Sequence, residues 1–227
     1  MTLLLARVPA LRLLRTPRAW LPIVAFALLG IVVALATRSS GSASGASHVL
    51  RGTFSFLVLP LVSFAVVGAV LGRTGLRQGI RGVVALGAAP RSAALASILV
   101  AVVMSALIAG LLAASVNVLA HGSHDPPLAG DLAASLWIGA LGGAAYAAYF
   151  SAGSAIGKGT MRGVFLAFDW IVGGVAGVGA LITPRGHVTS LLGGHLCAEL
   201  TQRASSTALV AIIAAYTLLA LFLVRRS

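Results

Sequence analysis

Runs of apolar residues alternate with short polar or basic segments along the whole chain. Six of these runs are close in length to the helix of roughly 20 residues that crosses a bilayer's hydrocarbon core. The pattern predicts an all-α fold, a polytopic membrane protein with a single transmembrane domain over residues 1–227. The predicted spans are about 20–37, 49–71, 92–119, 132–156, 163–182 and 205–224.

Helix-breaking and small residues refine this prediction. Pro60 lies inside the second span and cannot donate a backbone hydrogen bond, which predicts a kink near residue 56 whose free carbonyl is covered by neighbouring helices. Pairs of glycines four residues apart predict close helix approach and association. They are Gly139 and Gly143, Gly153 and Gly157, and Gly173 and Gly177.

The first 19 residues interleave leucines with four arginines, which predicts an N-terminal amphipathic helix at a membrane surface. A second basic segment, 73–91, lies between spans 2 and 3. In it Arg73, Arg77 and Arg81 recur at every fourth residue and share a helical face. Apolar residues recur on a neighbouring face, so the segment predicts a surface helix that ends near Pro90. The alternative is a loop whose arginines only fix the topology.

Composition and charge exclude several classes of protein. The chain is 59% hydrophobic and only 9% charged, so lipid surrounds most of it. Its net charge of +12 does not indicate nucleic-acid binding, because the basic residues cluster in the gaps between apolar runs and suit anionic lipid headgroups instead. Twelve of the 16 basic residues lie on one side of the predicted spans. The positive-inside rule then predicts a multi-pass protein of the cytoplasmic (inner) membrane with both termini in the cytoplasm, and Cys197 on the outer side.

Residues 183–204 are too long for a tight turn and too polar for two more spans. Apolar residues at helical spacing, interrupted by two glycines, predict two short helices in the outer leaflet that form a lid over the pathway. The proposed lid residues are Leu191, Leu192, Gly193, Gly194 and Leu196. The alternative is a plain outer loop with a few membrane-facing leucines.

Catalytic patterns are absent from the sequence. The segment 157–160, Gly-Lys-Gly-Thr, departs from a phosphate-binding loop, and no predicted span contains a histidine that would activate a nucleophile. The chain by itself is therefore predicted not to be an enzyme. His121, His124 and Asp125 form a possible metal-binding pattern, but a proline-rich loop favours solvated side chains, so no metal site is assigned.

Asp169 is the only acid within a predicted span, where a charge is costly. A functional interpretation is a gate or an intramembrane contact between subunits. The alternative is an acid at the membrane boundary that pairs with Arg162 or with a backbone donor.

The order of these features resembles the permease subunits of type-2 ABC export systems. The similarity rests on the six spans, the basic lead, the segment GIRGVVALGAAPRS (79–92) and the segment PRGHVTSLLGGHLCAEL (184–200). The chain differs from many members in carrying Arg77 and Gln78 where an acid precedes the glycine of the inner motif.

The resemblance implies a half-transporter whose substrate pathway forms between two copies, or between one copy and a paralogous permease. Separate ABC ATPase subunits would bind ATP and Mg, so this chain itself would hold no cofactor. The coupling helix that meets the ATPase would be formed by Arg73, Leu76, Arg77, Ile80, Arg81, Pro90 and Arg91. Two alternatives remain at this point: a non-transporting membrane scaffold, and an ion-coupled carrier, which the scarcity of ionisable residues in the spans disfavours.

Overall fold

The computed structural model describes residues 2–15, 17–72, 74–157, 159–174 and 177–225, and this part of the chain contains helices and no strand. The α-helices are α1 (Thr2–Arg15), α2 (Pro17–Ser39), α3 (Gly45–Val49), α4 (Leu59–Leu71), α5 (Leu76–Ala85), α6 (Pro90–Ala120), α7 (Leu128–Ile156), α8 (Met161–Val172), α9 (Pro184–Leu191) and α10 (Gln202–Arg225). A π-helix (Leu50–Val58) joins α3 to α4, and 3-10 turns cover Val178–Ile182 and Cys197–Glu199.

Five helical stretches of the described chain are long and apolar enough to cross a membrane. They are α2, the continuous run through α3, the π-helix and α4, and then α6, α7 and α10. The chain is therefore a multi-pass membrane protein of all-α class. The predicted spans 1, 2, 3, 4 and 6 each coincide with one of these stretches, with ends that differ by a few residues.

The antiparallel pair α6 and α7 forms the centre of the bundle. A Cβ atom built on Gly143 would lie 2.5 Å from the backbone oxygen of Ser105, and one built on Gly139 would lie 2.6 Å from the Cβ of Ala113. Only glycine permits this approach, so the close packing predicted for this glycine pair is confirmed.

Pro60 has the local effect that its chemistry predicts. It follows the π-helix, and the carbonyl of Phe56, four residues before it, cannot receive the usual amide hydrogen. The indole Nε1 of Trp170 donates to that carbonyl at 3.0 Å. The ring of Trp170 also lies 5.8 Å from that of Phe56. The prediction that a neighbouring helix covers the freed carbonyl is confirmed.

The predicted fifth span, 163–182, is not one helix. The 12-residue helix α8 stops at Val172, and the chain resumes as a 3-10 turn at Val178. Glycines interrupt the predicted helix here, since Gly173, Gly174, Gly177 and Gly179 are all close to the break. The helix α8 is too short to cross a bilayer alone.

Instead, α8 and α9 pack one after the other along one face of α7. Tyr149 of α7 donates its hydroxyl to the backbone oxygen of Phe165 in α8 at 2.9 Å. Seven residues earlier, about 10 Å along the same face of α7, Gly142 meets α9, where its Cβ would lie 2.9 Å from Val188 Cγ2. The two short helices together line the length that a single helix was predicted to occupy.

The bundle has two ends, which we name by the short helices found there. At the α3 end, the carboxylate of Asp125 accepts hydrogen bonds from the backbone N–H groups of Ala46 (2.9 Å), Ser47 (3.2 Å) and Gly122 (2.9 Å), and from the Ser47 hydroxyl (2.7 Å). These bonds join the 121–131 loop to the start of α3. At the α5 end, α1 packs against α4 and α6 with Leu13 fully buried.

Candidate functional site

The helix α5 begins where the chain passes closest to the end of α7. Gly75 adopts φ +98°, and a Cβ there would lie 2.8 Å from the backbone oxygen of Ser154 and 2.9 Å from that of Gly157. One turn later, Gly79 lies directly against the backbone oxygen of Leu71 at the end of α4. Glycine at these two positions lets the helix backbone contact the ends of two long helices.

The two faces of α5 differ as the arginine spacing predicts. Leu76 is fully buried and Ile80 is 5% exposed, so this face holds the helix to the bundle. Arg77 and Arg81 are exposed on the other face. Arg77 donates from Nη2 to the backbone oxygen of Leu223 at 2.9 Å, which links α5 to the end of α10 as well. α5 is therefore a short helix with one buried and one exposed face, and it contacts three long helices.

Its end differs from the prediction. α5 stops at Ala85, where Gly87 takes φ +91° in the following turn, a common way to terminate a helix. Pro90 and Arg91, predicted to end this helix, instead form the exposed first residues of α6. Arg73 falls outside the described residues.

Asp169, near the end of α8, is fully buried. Its carboxylate accepts a hydrogen bond from the hydroxyl of Tyr146 at 2.8 Å and one from the backbone N–H of Arg185 at 3.2 Å. Tyr146 lies ten residues before the end of α7 at Ile156, or about 15 Å from it. That depth places the carboxylate inside the bundle rather than at its edge. Arg185 belongs to the first turn of α9, so an acid from α8 caps the N-terminus of α9.

The guanidinium groups of the two arginines near Asp169, Arg162 and Arg185, bind backbone oxygens of other residues. Arg162 donates to the backbone oxygens of Gly72 (3.0 Å) and Gly159 (3.2 Å). Arg185 donates from Nη1 to the backbone oxygen of Trp170 at 3.0 Å, and its guanidinium lies 4.4 Å from the centre of the Phe56 ring. Of the alternatives for Asp169, the backbone donor is therefore present, and the described residues contain no ion pair with Arg162. Arg185, predicted in an outer loop, lies within the bundle.

The segment 183–204 contains one α-helix, α9, and a 3-10 turn in place of the second predicted helix. Of the predicted lid residues, Leu191 and Leu192 are partly buried, while Leu196 is 51% exposed. Gly193 adopts φ +78° and forms the bend after α9 together with Gly194. The turn continues with Ala198 and Glu199 at positive φ, a conformation that is unfavourable for helix.

Contacts from distant segments fix this region. Arg51 donates from Nε to the backbone oxygen of Leu192 at 2.6 Å. Tyr216 of α10 donates to the backbone oxygen of Ile182 at 2.8 Å, where the chain enters α9. α9 is therefore held between the π-helix, α7 and α10.

Sequence reasoning missed a polar cluster between α6 and α7. Asn117 is fully buried and donates to Asp131 and to Ser135, both at 2.6 Å. α7 begins at Leu128, so Asp131, predicted in a loop, lies in its first turn. The spacing of four between Asp131 and Ser135 was the signal that both share a helical face.

The possible metal pattern at residues 121–125 is not assembled. The carboxylate of Asp125 is occupied by four hydrogen-bond donors, and His124 points to solvent. Within the described residues, no group of three metal-ligating side chains comes together.

Comparisons with known proteins identify no relative. No protein-family model, curated protein sequence or solved structure matches the chain.

Proposed function

We propose that this chain is the transmembrane permease subunit of an ATP-driven ABC export system. It would form the substrate pathway with a second copy or with a paralogous permease, and separate ABC ATPase subunits would bind and hydrolyse ATP. The observation that carries the proposal is α5: a ten-residue helix between two long helices, with an apolar face buried in the bundle and arginines exposed on the other face.

The contacts of α5 support a role in coupling. It touches the end of α7 through Gly75, the end of α4 through Gly79 and the end of α10 through Arg77. A rigid helix held at three such points transmits a push at its exposed face to three long helices together. An ATPase pair that closes on binding ATP would deliver that push and switch the pathway between its inward- and outward-open forms.

The proposal also fixes an orientation. The α5 end would face the cytoplasm, as the concentration of basic residues there favours, and both termini would be cytoplasmic. α8 and α9 would then form a broken fifth crossing, giving six in total. The break would follow Val172, and the carboxylate of Asp169, near the end of α8, would connect the two halves through its bond to the backbone N–H of Arg185. The lid role of the segment after α9 is kept as part of this proposal.

The test asks first whether an ABC ATPase gene neighbours the gene of this chain, and then whether that ATPase co-purifies with the chain and hydrolyses ATP in lipid vesicles. Arg81→Glu, at an exposed site of α5, is expected to reduce ATPase binding at least about tenfold, since it replaces a cation with an anion at the interface. Arg38→Glu is the matched control, because it makes the same charge reversal at an exposed site in the last turn of α2, away from α5. Arg77→Glu is tested separately, since Arg77 also binds the end of α10.

Equal ATPase binding by the wild type and by Arg81→Glu would contradict a coupling role, and the arginines of α5 would then serve only to fix the membrane topology. Stable insertion without any ATPase partner would instead favour the scaffold alternative.

A further inference from the structure

A groove of about 780 Å³ opens beside α4, between α2 and α8, near the α5 end. Its floor is one face of α4, because the residues that form it recur at spacings of three and four. They are Leu61, Phe64, Ala65, Gly68, Ala69 and Gly72. Four of the six are alanine or glycine, and their small size leaves the groove open. Its volume lies within the usual range of small-molecule sites, roughly 300–1,000 Å³.

The walls divide the groove into an apolar part and a cationic part. Phe26 of α2 and Leu166 of α8 flank the apolar floor. The lining also includes three arginines from three different helices, Arg12, Arg18 and Arg162, together with Ala19 and Pro22 of α2. A Cβ built on Gly72 would lie 3.7 Å from Nη1 of Arg12, while the backbone oxygen of Gly72 accepts a bond from Arg162 at 3.0 Å. Two guanidinium groups therefore meet around Gly72.

The residues that line the groove include these three arginines and no acidic side chain. The chain has four acids, and all of them lie in described segments away from the arginines of the groove. Asp125, Asp131 and Glu199 belong to loops and helix starts at the other end of the bundle, and Asp169 is bound by Tyr146 and the amide of Arg185. Arg162 is 4% exposed, so it holds its charge within the wall of the groove rather than in open solvent.

We propose that this groove binds an anionic phospholipid of the leaflet at the α5 end. The phosphate of the head group would bind Arg12, Arg18 and Arg162, since guanidinium groups match phosphate oxygens in charge and geometry. An acyl chain would lie along α4 between Phe26 and Leu166. A zwitterionic lipid has the same acyl chains but no net charge, so it matches the apolar part of the groove but not the cationic part. The proposal does not depend on transport or on an ATPase partner.

The experiment measures lipid binding to the purified full-length chain in detergent micelles by native mass spectrometry. The probes are phosphatidylglycerol, phosphatidylcholine with the same chains, and glycerol 3-phosphate, which carries the charge without chains. We expect phosphatidylglycerol to bind at least about tenfold more tightly than either of the other two.

Four variants locate the binding. Arg12→Gln with Arg18→Gln is expected to weaken phosphatidylglycerol about tenfold, and Ala69→Phe, which fills the floor of the groove, to weaken both lipids. Arg18→Gln is also measured alone, because Arg12 and Arg162 each donate to two backbone oxygens and these bonds are part of the fold. Arg38→Gln, at the exposed far end of α2, is the matched control and should leave binding unchanged.

Four results would each overturn the proposal. Equal affinity for the two lipids would remove the head-group preference, and equal affinity for glycerol 3-phosphate would leave an anion site without an acyl chain. Unchanged lipid binding by Ala69→Phe would place the lipid elsewhere. An equal loss in Arg38→Gln would reduce the effect to general attraction of lipid to a basic protein.

Discussion

The hydrogen bond from Trp170 to the carbonyl of Phe56 gives a prediction with a built-in control. Trp170→Phe keeps an aromatic ring next to Phe56 but removes the N–H that covers the carbonyl freed by Pro60. The bond is exposed on the surface of the bundle, where lipid offers the carbonyl no replacement donor. Interhelical hydrogen bonds in membranes average about 0.6 kcal/mol and reach about 1.7 kcal/mol. We therefore expect Trp170→Phe to lower the free energy of unfolding by about 1 kcal/mol.

Pro60→Ala restores an amide hydrogen within the same helix, where it can donate to the Phe56 carbonyl. In that background the loss of the indole N–H should cost little, so the double-mutant cycle should give a coupling of about 1 kcal/mol. The cycle also cancels the packing lost when the larger ring is removed. Trp137→Phe, at a ring that is 58% exposed on α7, is the control and should show no coupling to Pro60.

The assay is equilibrium unfolding in mixed micelles, followed by the reactivity of Cys197. This residue is the only cysteine of the chain and is 3% exposed, so it reacts with a thiol reagent when the fold opens. A coupling within about 0.3 kcal/mol of zero, which is the scatter expected of independent sites, would refute the assignment of Trp170 as the cover of this carbonyl.

Three further predictions concern packing, pH and orientation. Gly143→Ala should lower the free energy of unfolding by about 1–3 kcal/mol, because the added methyl group meets the backbone of α6. Gly163→Ala is the control and should not destabilise the chain, because Gly163 faces open space. Similar melting temperatures for the two variants would contradict this prediction. Burial raises the pKa of Asp125, but hydrogen bonds from Ser47 and three backbone amides outweigh it and hold the pKa below its usual 3.8. The pKa of Asp125 is thus lower in the folded chain than in the unfolded chain. The bonds at the α3 end therefore stabilise the fold above about pH 4, and this stabilisation is lost as the pH falls below that value. Asp125→Asn should remove this pH dependence of the melting temperature. In a cysteine-free background, Ser123→Cys should react with an impermeant thiol reagent on intact cells and Gln78→Cys only in inverted vesicles, and the reverse pattern would invert the proposed topology.

Hydropathy located the long helices because burial in lipid requires a long apolar run, and the five long stretches agree with five of the predicted spans. It failed at 163–182 for a physical reason. The residues after α8, such as Val178 and Ile182, are as apolar as helical ones, so hydropathy does not separate a helix from a 3-10 turn. The cluster of glycines near residue 173 was the available signal, since glycine weakens a helix while leaving a segment apolar.

Local chemistry was likewise predictable where the partner was nearby in sequence. Proline leaves the carbonyl four residues before it without an amide donor, so the sequence alone identifies Phe56. Its donor, Trp170, lies 114 residues further along the chain and can be identified only from the folded structure. The same holds for Asp169. Its isolation in an apolar run marked it as unusual, whereas Tyr146 and the amide of Arg185 are brought to it by the packing of α7 and α9.

The bonds that hold α8 and α9 also impose an order on the synthesis of the chain. Asp169 obtains one donor from Tyr146, made before it, and one from Arg185, made after it. Tyr216, in the last helix, donates to the backbone oxygen of Ile182, and no other side-chain donor to this oxygen is found among the described residues. A nascent chain that has not reached Tyr216 therefore leaves polar groups of this segment unbonded in lipid, which is unfavourable. We expect ribosome-stalled chains that end before Tyr216 to leave 177–183 accessible to protease. Chains that extend well past Tyr216 should protect this segment. Equal protection in both would show that α9 packs without α10.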